Sequence, residues 1–590
     1  MKNIKTTWNL GLLYKNEKDP QIEKDLKMIE RVCMDFEKKY KKADFTSSAE
    51  KLLKALEDRE ELRKKINGSK PWWYFTLKNN LNADDIFAQS HSTQYSQRLT
   101  GAFNKLTFFS IRIAQIVKTD QKKFLMDPIL QTYKYSLKRS FEAAKYKLSE
   151  GEEQIIDLLS ETSYTMWKSG QNKLLSSQVV VYEGKEIPIT KAVALYPELP
   201  KKERRELYLK ISSVLQSIAH FAEAEINAVY NYKKVLDERR GYNKPYSATV
   251  IGNENNEKSI ELLVDLVTKH FSISQRYYKV HAKLLREKKI LSADRNARIG
   301  DIHKKFDFLS ATTIVRSALG NVDVKYAKIF DSFLENGQID VYPRKGKRGG
   351  AFCWKEGLLP TFVFLNHSDD INSVETLGHE MGHAIHWELS QQTQPPRYRD
   401  FSTATAEVAS TFFEQVTMSE IEKHLSEDEK IIFLHTKIKS DIMTIFQQVA
   451  GFNFELQLHE KIRKEGFVSK ENIASLLSKN FRASTGNVMD IQDEDGYFFV
   501  RWSHIRNFFY VYTYAYGQLI SRALFENWKK DPGYAKKIEQ FLSAGRSMSP
   551  EDIFKSIGID TSDPAFFEAG LKGIESDIKR LEIMAKKAGY

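Results

Sequence analysis

The run Thr376-Leu-Gly-His-Glu-Met-Gly-His-Ala-Ile-His386 places His379-Glu380-x-x-His383 in a segment that no proline interrupts. Val374, Leu377, Met381, Ile385 and Leu389 recur at near-helical spacing around it, so the stretch reads as an amphipathic helix. Residues four apart share a helix face, and His379 and His383 can therefore aim two imidazoles at one metal ion. Glu380 lies about 60° round the helix from His383, within reach of the proton of a metal-bound water. With 13 histidines among 590 residues, this pattern arises by accident in about 2 of 100 such chains. His386 falls on the same side and is a weaker alternative ligand.

A hydrolytic zinc takes three protein ligands and leaves a position for water, so a further donor is expected from another element. Beyond the breaker-rich connection 391–399, with Pro395 and Pro396, comes Phe401-Ser-Thr-Ala-Thr-Ala-Glu-Val-Ala-Ser-Thr-Phe-Phe-Glu414. It reads as a second helix, with Glu407 and Glu414 seven apart on one face. One carboxylate can bind the metal while the other orients a ligand histidine through its free ring nitrogen. Spacing alone leaves open which does which.

The pair H-E-x-G-H-x-x-H and E-x-x-S-x-x-x-E resembles the M3 family of zinc oligopeptidases, most closely its oligoendopeptidase F branch. His379, Glu380, Gly382, His383 and His386 fit the first block; Glu407, Ala409, Ser410 and Glu414 fit the second. The resemblance implies one zinc ion held by His379, His383 and Glu407, with Glu414 in support. Gly346-Lys-Arg-Gly-Gly-Ala-Phe352 looks like the family's glycine-rich segment, and Thr361-Phe-Val-Phe-Leu-Asn366 like its strand beside the active site. Downstream, Trp502-Ser-His-Ile-Arg-Asn-Phe-Phe-Tyr-Val-Tyr-Thr-Tyr-Ala-Tyr-Gly517 resembles the stretch that supplies hydrogen bonds to substrate and oxyanion. It implies catalytic roles for His504, Tyr510 and Tyr514, with Tyr512 and Tyr516 competing, and it departs from the branch pattern at Arg506 and Asn507. An aromatic stripe at helical spacing also suits a core.

Composition narrows the alternatives. A chain of this length exceeds one core, and two domains are expected: 1–195, helical with a hairpin near its end, and 196–590, catalytic. The apolar pattern in 22–40 and 49–66 predicts long antiparallel helices, with a turn at 67–71. A hairpin is expected at 179–189, turning at Glu183-Gly184, and short strands at 339–342 and 361–366. The fold is therefore mainly α with a small sheet beside the metal-binding helix, and the resemblance implies two helical halves enclosing a channel. Lys and Arg exceed Asp and Glu by 90 to 78, but the charges interleave at helical spacing as on solvated surfaces, which argues against a nucleic-acid groove. The basic segment 344–348 reads as a mobile loop near substrate. Cys33 and Cys353 stand far apart, suiting a reducing cytoplasm. Met1-Lys-Asn-Ile-Lys-Thr-Thr-Trp-Asn-Leu10 lacks a signal-like apolar core, and no run reaches membrane-spanning length.

These features predict a cytoplasmic zinc hydrolase that works through a glutamate-activated, zinc-bound water; the resemblance implies that it is an endopeptidase acting on internal bonds of short oligopeptides. The rival readings are a zinc exopeptidase, for which Arg348 or Arg506 could hold a peptide terminus, and a helical protein that merely retains a metal site.

Overall fold

The structure, a computed structural model, describes residues 4–590; Met1 to Asn3 of the N-terminal stretch lie outside it. The chain is mainly helical and forms two compact units. One comprises the chain up to Tyr146, Lys304–Lys423 and Asn527–Ile557; the other comprises Lys147–His303, His424–Glu526 and Gly558–Tyr590. Each unit draws on three separate stretches of the chain. The hairpin expected at 179–189 is formed: Val179–Tyr182 pairs antiparallel with Lys185–Pro188. Glu183 and Gly184 both adopt positive φ, 50° and 73°, the pairing a tight right-twisting turn requires.

In the first unit the expected N-terminal helices are Gln21–Tyr40 and Ala49–Ile66. Asn67, Gly68 and Ser69 then take left-handed φ, reversing the chain into Lys70–Leu81. The apolar faces of these helices enclose a core that includes Leu26, Leu52, Phe75, Phe362 and Phe364. Trp8 fastens it to the sheet, its indole N–H donating to the Val363 carbonyl at 2.7 Å.

That sheet has three short strands: β1 Ile339–Asp340, β2 Phe352–Trp354 and β3 Phe362–Phe364. β3 is central, parallel to β1 and antiparallel to β2. The strand expected beside the active site therefore has neighbours on both sides, and β1 and β2 are the edge strands. The preceding basic segment is tethered rather than free. Arg344 and Lys347 each pair with Asp340 at 2.7 Å, and the Asn366 amide donates to the carbonyls of Arg348 and Gly350. Two cations of the segment expected as a mobile loop, Arg344 and Lys347, thus neutralise the buried Asp340 carboxylate.

Helix α1, Ile371–Thr393, begins at Asp370, whose carboxylate accepts the Ser373 N–H at 2.8 Å. Its residues Val374, Leu377, Met381, Ile385 and Leu389 are all buried. Helix α2, Thr403–Glu422, is capped by Ser402 and packs against α1. Gly382 makes the close approach possible: a Cβ there would sit 2.7 Å from Ser410 Cα and 3.2 Å from the Ala409 carbonyl oxygen.

Candidate metal centre

The Gly382–Ser410 crossing sets two histidines of α1 against two glutamates of α2. His379 Nδ1 lies 2.8 Å from Glu414 Oε2, which leaves Nε2 free to face the other way, 3.9 Å from Glu407 Oε2. The rings of His379 and His383 are 5.0 Å apart at 81°. One donor atom from each of His379, His383 and Glu407 lies within 4.8 Å of the others. A tetrahedral zinc with bonds near 2.0–2.1 Å separates its ligand atoms by about 3.3 Å, so side-chain adjustments alone would close this set round one ion. Two imidazoles and a carboxylate are also a donor set that zinc accepts. The residues present fit the metal.

The environment sorts the remaining groups. Glu380 is buried and accepts the Cys353 backbone N–H of β2. Burial, with the charges of Glu407 and Glu414, pushes its pKa up to about 7 against the pull of His379 and that N–H. Burial alone would lower His379, but the Glu414 hydrogen bond and surrounding carboxylates outweigh it and hold the pKa at about 9. His383 is driven well below the usual range by burial and by its neighbours His379 and His386. Glu407 is half exposed, so the cluster is open to solvent on that side. His386 does not join it. Its ring stacks on Phe401 at 3.7 Å, and burial pushes its pKa down to about 3; it belongs to the core.

The block containing His504 lies in the second unit and is not one continuous helix. Ser503–Asn507 forms a short 3-10 turn, Phe508 and Phe509 take φ of 46° and 61°, and the helix starts only at Tyr512. The His504 Nε2 and Tyr514 hydroxyl lie 3.1 Å apart, and the Tyr510 ring meets Tyr514 edge-on at 5.4 Å. Tyr512 and Tyr516 are fully buried, with the Tyr512 hydroxyl engaged by Asn253 and Asn255. The break sends Tyr510 and Tyr514 to His504 and the other two into the core. Arg506, unusual in the sequence pattern, is buried on Glu225 at 2.8 Å and donates to the carbonyls of Phe499 and Trp502. It is a strut of the unit and holds no substrate terminus. Sequence reasoning missed Glu225 and the Cys353 N–H, because neither an isolated glutamate in a helix nor a backbone donor carries a spacing signal.

A helical chain with this cluster is a metallopeptidase, and the comparisons place it. The family model described as Peptidase family M3 matches residues 198–573, and the one described as Oligopeptidase F matches residues 112–177. The chain belongs to peptidase family M3, on its oligoendopeptidase F branch. It is 24% identical to Oligopeptidase PepF of Bacillus subtilis, covering 98% of this chain and 87% of that one. It is 26% identical to the Oligoendopeptidase F homolog of Borreliella burgdorferi, covering 96% of each. Among solved structures, a peptidase from Chlamydophila abortus superposes with a TM-score of 0.88 at 22% identity, over 98% of both chains. Oligoendopeptidase-F from Enterococcus faecium gives 0.68 at 18%, over 96% of this chain and 98% of that one.

Proposed function

We propose that the protein is a zinc endopeptidase that cuts internal bonds of short oligopeptides. The observation that carries this reading is the convergence of His379, His383 and Glu407 within 4.8 Å, beside the buried carboxylate of Glu380. The names of the relatives, oligopeptidase and oligoendopeptidase F, support the substrate class.

His379, His383 and Glu407 would hold one zinc ion, and Glu414 fixes the His379 ring by accepting its Nδ1–H. When bound, zinc supplies a Lewis acid that acidifies water and polarises a carbonyl. Glu380 takes the proton of the attacking water onto its carboxylate and passes it to the leaving nitrogen of the broken amide. A pKa raised by burial suits both halves of that transfer, since the group neither holds nor releases the proton too firmly. The Cys353 N–H keeps the Glu380 carboxylate oriented. His504, with Tyr514 or Tyr510, donates hydrogen bonds to the carbonyl oxygen as it gains charge; the branch resemblance and the His504–Tyr514 contact support this assignment.

The edge strand β2 gives an extended peptide backbone groups to pair with, so recognition tolerates varied side chains. Two free cysteines, Cys33 and Cys353, are consistent with a reducing cytoplasm as the workplace. Among the described residues, no helix is long and apolar enough to cross a membrane.

The test is an internally quenched peptide blocked at both ends, incubated with and without a zinc chelator, its products located by mass spectrometry. Internal cuts that the chelator abolishes support the reading. Cutting only of unblocked peptide transfers the assignment to an exopeptidase, and no cutting of either contradicts peptidase action.

A further inference from the structure

Within the first unit, two cavities of about 610 and 680 Å³ share lining residues, and the larger opens beside the metal-binding helix; both are in a size range usual for ligand sites. Both are lined by Arg59, Arg63, Arg397 and Asp400, and the larger also by Lys355 and Trp387. The excess of cations is unbalanced. Arg397 gives one nitrogen to Glu60 at 3.1 Å, while its Nε and Nη1 are buried without a hydrogen-bond partner, as is Arg59 Nη1. Arg63 and Lys355 form no ion pair among the described residues, and the Arg63 side chain is exposed. Burying cationic donors with no acceptor is costly, and a fold that gathers several at one cavity has a use for an anion. The acids on the same walls are Glu60, already paired with Arg397, and Glu356 and Asp400, which are exposed to solvent, against a larger number of Arg and Lys side chains.

The cavity adjoins the proposed reaction centre. Trp387 lies one turn beyond His383 on α1, about 6 Å along the axis. Lys355 lies two residues beyond Cys353, whose N–H holds Glu380, or about 7 Å along an extended chain. A peptide extended along β2 would reach the cavity about two to four residues from the bond being cut.

We infer that this arginine-lined cavity is a substrate subsite for a peptide carboxylate, formed chiefly by Arg59, Arg63, Arg397 and Lys355. The inference rests on the endopeptidase reading for the position of the peptide, but the cavity's preference for a carboxylate can be measured without turnover. The carboxylate has two sources. A peptide running antiparallel to β2 sends its N-terminal half towards Lys355 and would present an Asp or Glu side chain. One running parallel sends its C-terminal half there and would present the α-carboxylate.

The experiment is a fluorescence-anisotropy titration with Glu380→Gln protein, which separates binding from cleavage. Three kinds of otherwise identical labelled peptide are used: a neutral C-terminal amide, its free acid, and a set of amides with Glu placed in turn two to four residues either side of the central bond. The expected result is at least tenfold tighter binding of one carboxylate-bearing peptide than of the neutral amide, at moderate salt. A gain confined to the free acid identifies the terminus, and one confined to a Glu position identifies the side chain. Arg59→Gln combined with Arg63→Gln should bring the ratio close to one, and Arg63→Lys in place of Arg63→Gln should restore much of it. Equal binding of all three kinds of peptide, or a preference surviving the double substitution, overturns the inference. Failure of the endopeptidase reading would appear separately, as absence of internal cleavage by the unsubstituted protein.

Discussion

His379 Nδ1 lies 2.8 Å from Glu414 Oε2, and this contact decides which face of the imidazole is available. With Nδ1 occupied, only Nε2 can turn towards His383 and Glu407. The seven-residue separation of Glu407 and Glu414 on α2 thereby puts one carboxylate on each side of the ring, the arrangement the proposed metal ligand and its support would need.

Replacing Glu414 by Gln keeps a side chain of the same shape but removes the charged acceptor. Zinc affinity should fall by about 10–100-fold, in line with other supporting groups at metal sites, measured by competition with a chromophoric chelator. Unchanged affinity would remove Glu414 from the site.

Gly382→Ala tests the crossing that brings the glutamates to the histidines. The added methyl meets Ser410 Cα at 2.7 Å, and backbone must move to admit it. A loss of roughly 1–3 kcal/mol is expected from such overpacking, read by denaturant unfolding, together with weakened zinc binding. Gly101, whose Cβ would meet nothing within 4 Å, should accept Ala with no such loss of zinc.

The tyrosines separate by position. Tyr514→Phe should lower kcat by about 10²–10³ with little change in KM if its hydroxyl stabilises the oxyanion. Tyr512→Phe removes a hydroxyl engaged by two asparagines and should act on stability alone. Steady-state kinetics on both variants distinguishes them, and equal kinetic losses would contradict the assignment.

Much of this was legible from the chain. The metal helix, the second helix and the hairpin turn follow from spacing and turn chemistry that act locally, and the buried stripe Val374 to Leu389 matches its period. What stayed hidden depends on partners distant in sequence. Glu225 and Arg506 meet across 281 positions, and Arg59 and Arg397, far apart in the chain, line the same cavities. The break at Phe508 and Phe509 was equally invisible, since neither residue favours positive φ and only tertiary contacts hold it.

Breaking the Arg506–Glu225 pair should be severe. Both side chains are almost fully buried, so Glu225→Gln leaves a cation without its counter-charge, at a cost of about 3–5 kcal/mol. Urea unfolding of the second unit reports it.

Acid stability provides a check that involves none of the metal-site residues. Burial would raise Asp577, but Arg522 and Lys437 outweigh it and lower its pKa from 3.8 to about 2. Its folded pKa lies below its unfolded one, so the ionised form stabilises the fold. That contribution is complete above about pH 4 to 5 and is lost as pH falls through about 2. The stability difference between the unsubstituted protein and Asp577→Asn should shrink across that window, and a difference constant with pH would contradict it.

The most direct test of the central claim compares hydrolysis of the doubly blocked peptide by unsubstituted and Glu380→Gln protein, each verified to carry one zinc per chain. The account predicts matching zinc content and a fall in kcat of at least 10²-fold in the variant, because the ligands are intact and the proton acceptor is gone. Near-normal turnover by zinc-loaded Glu380→Gln would contradict it.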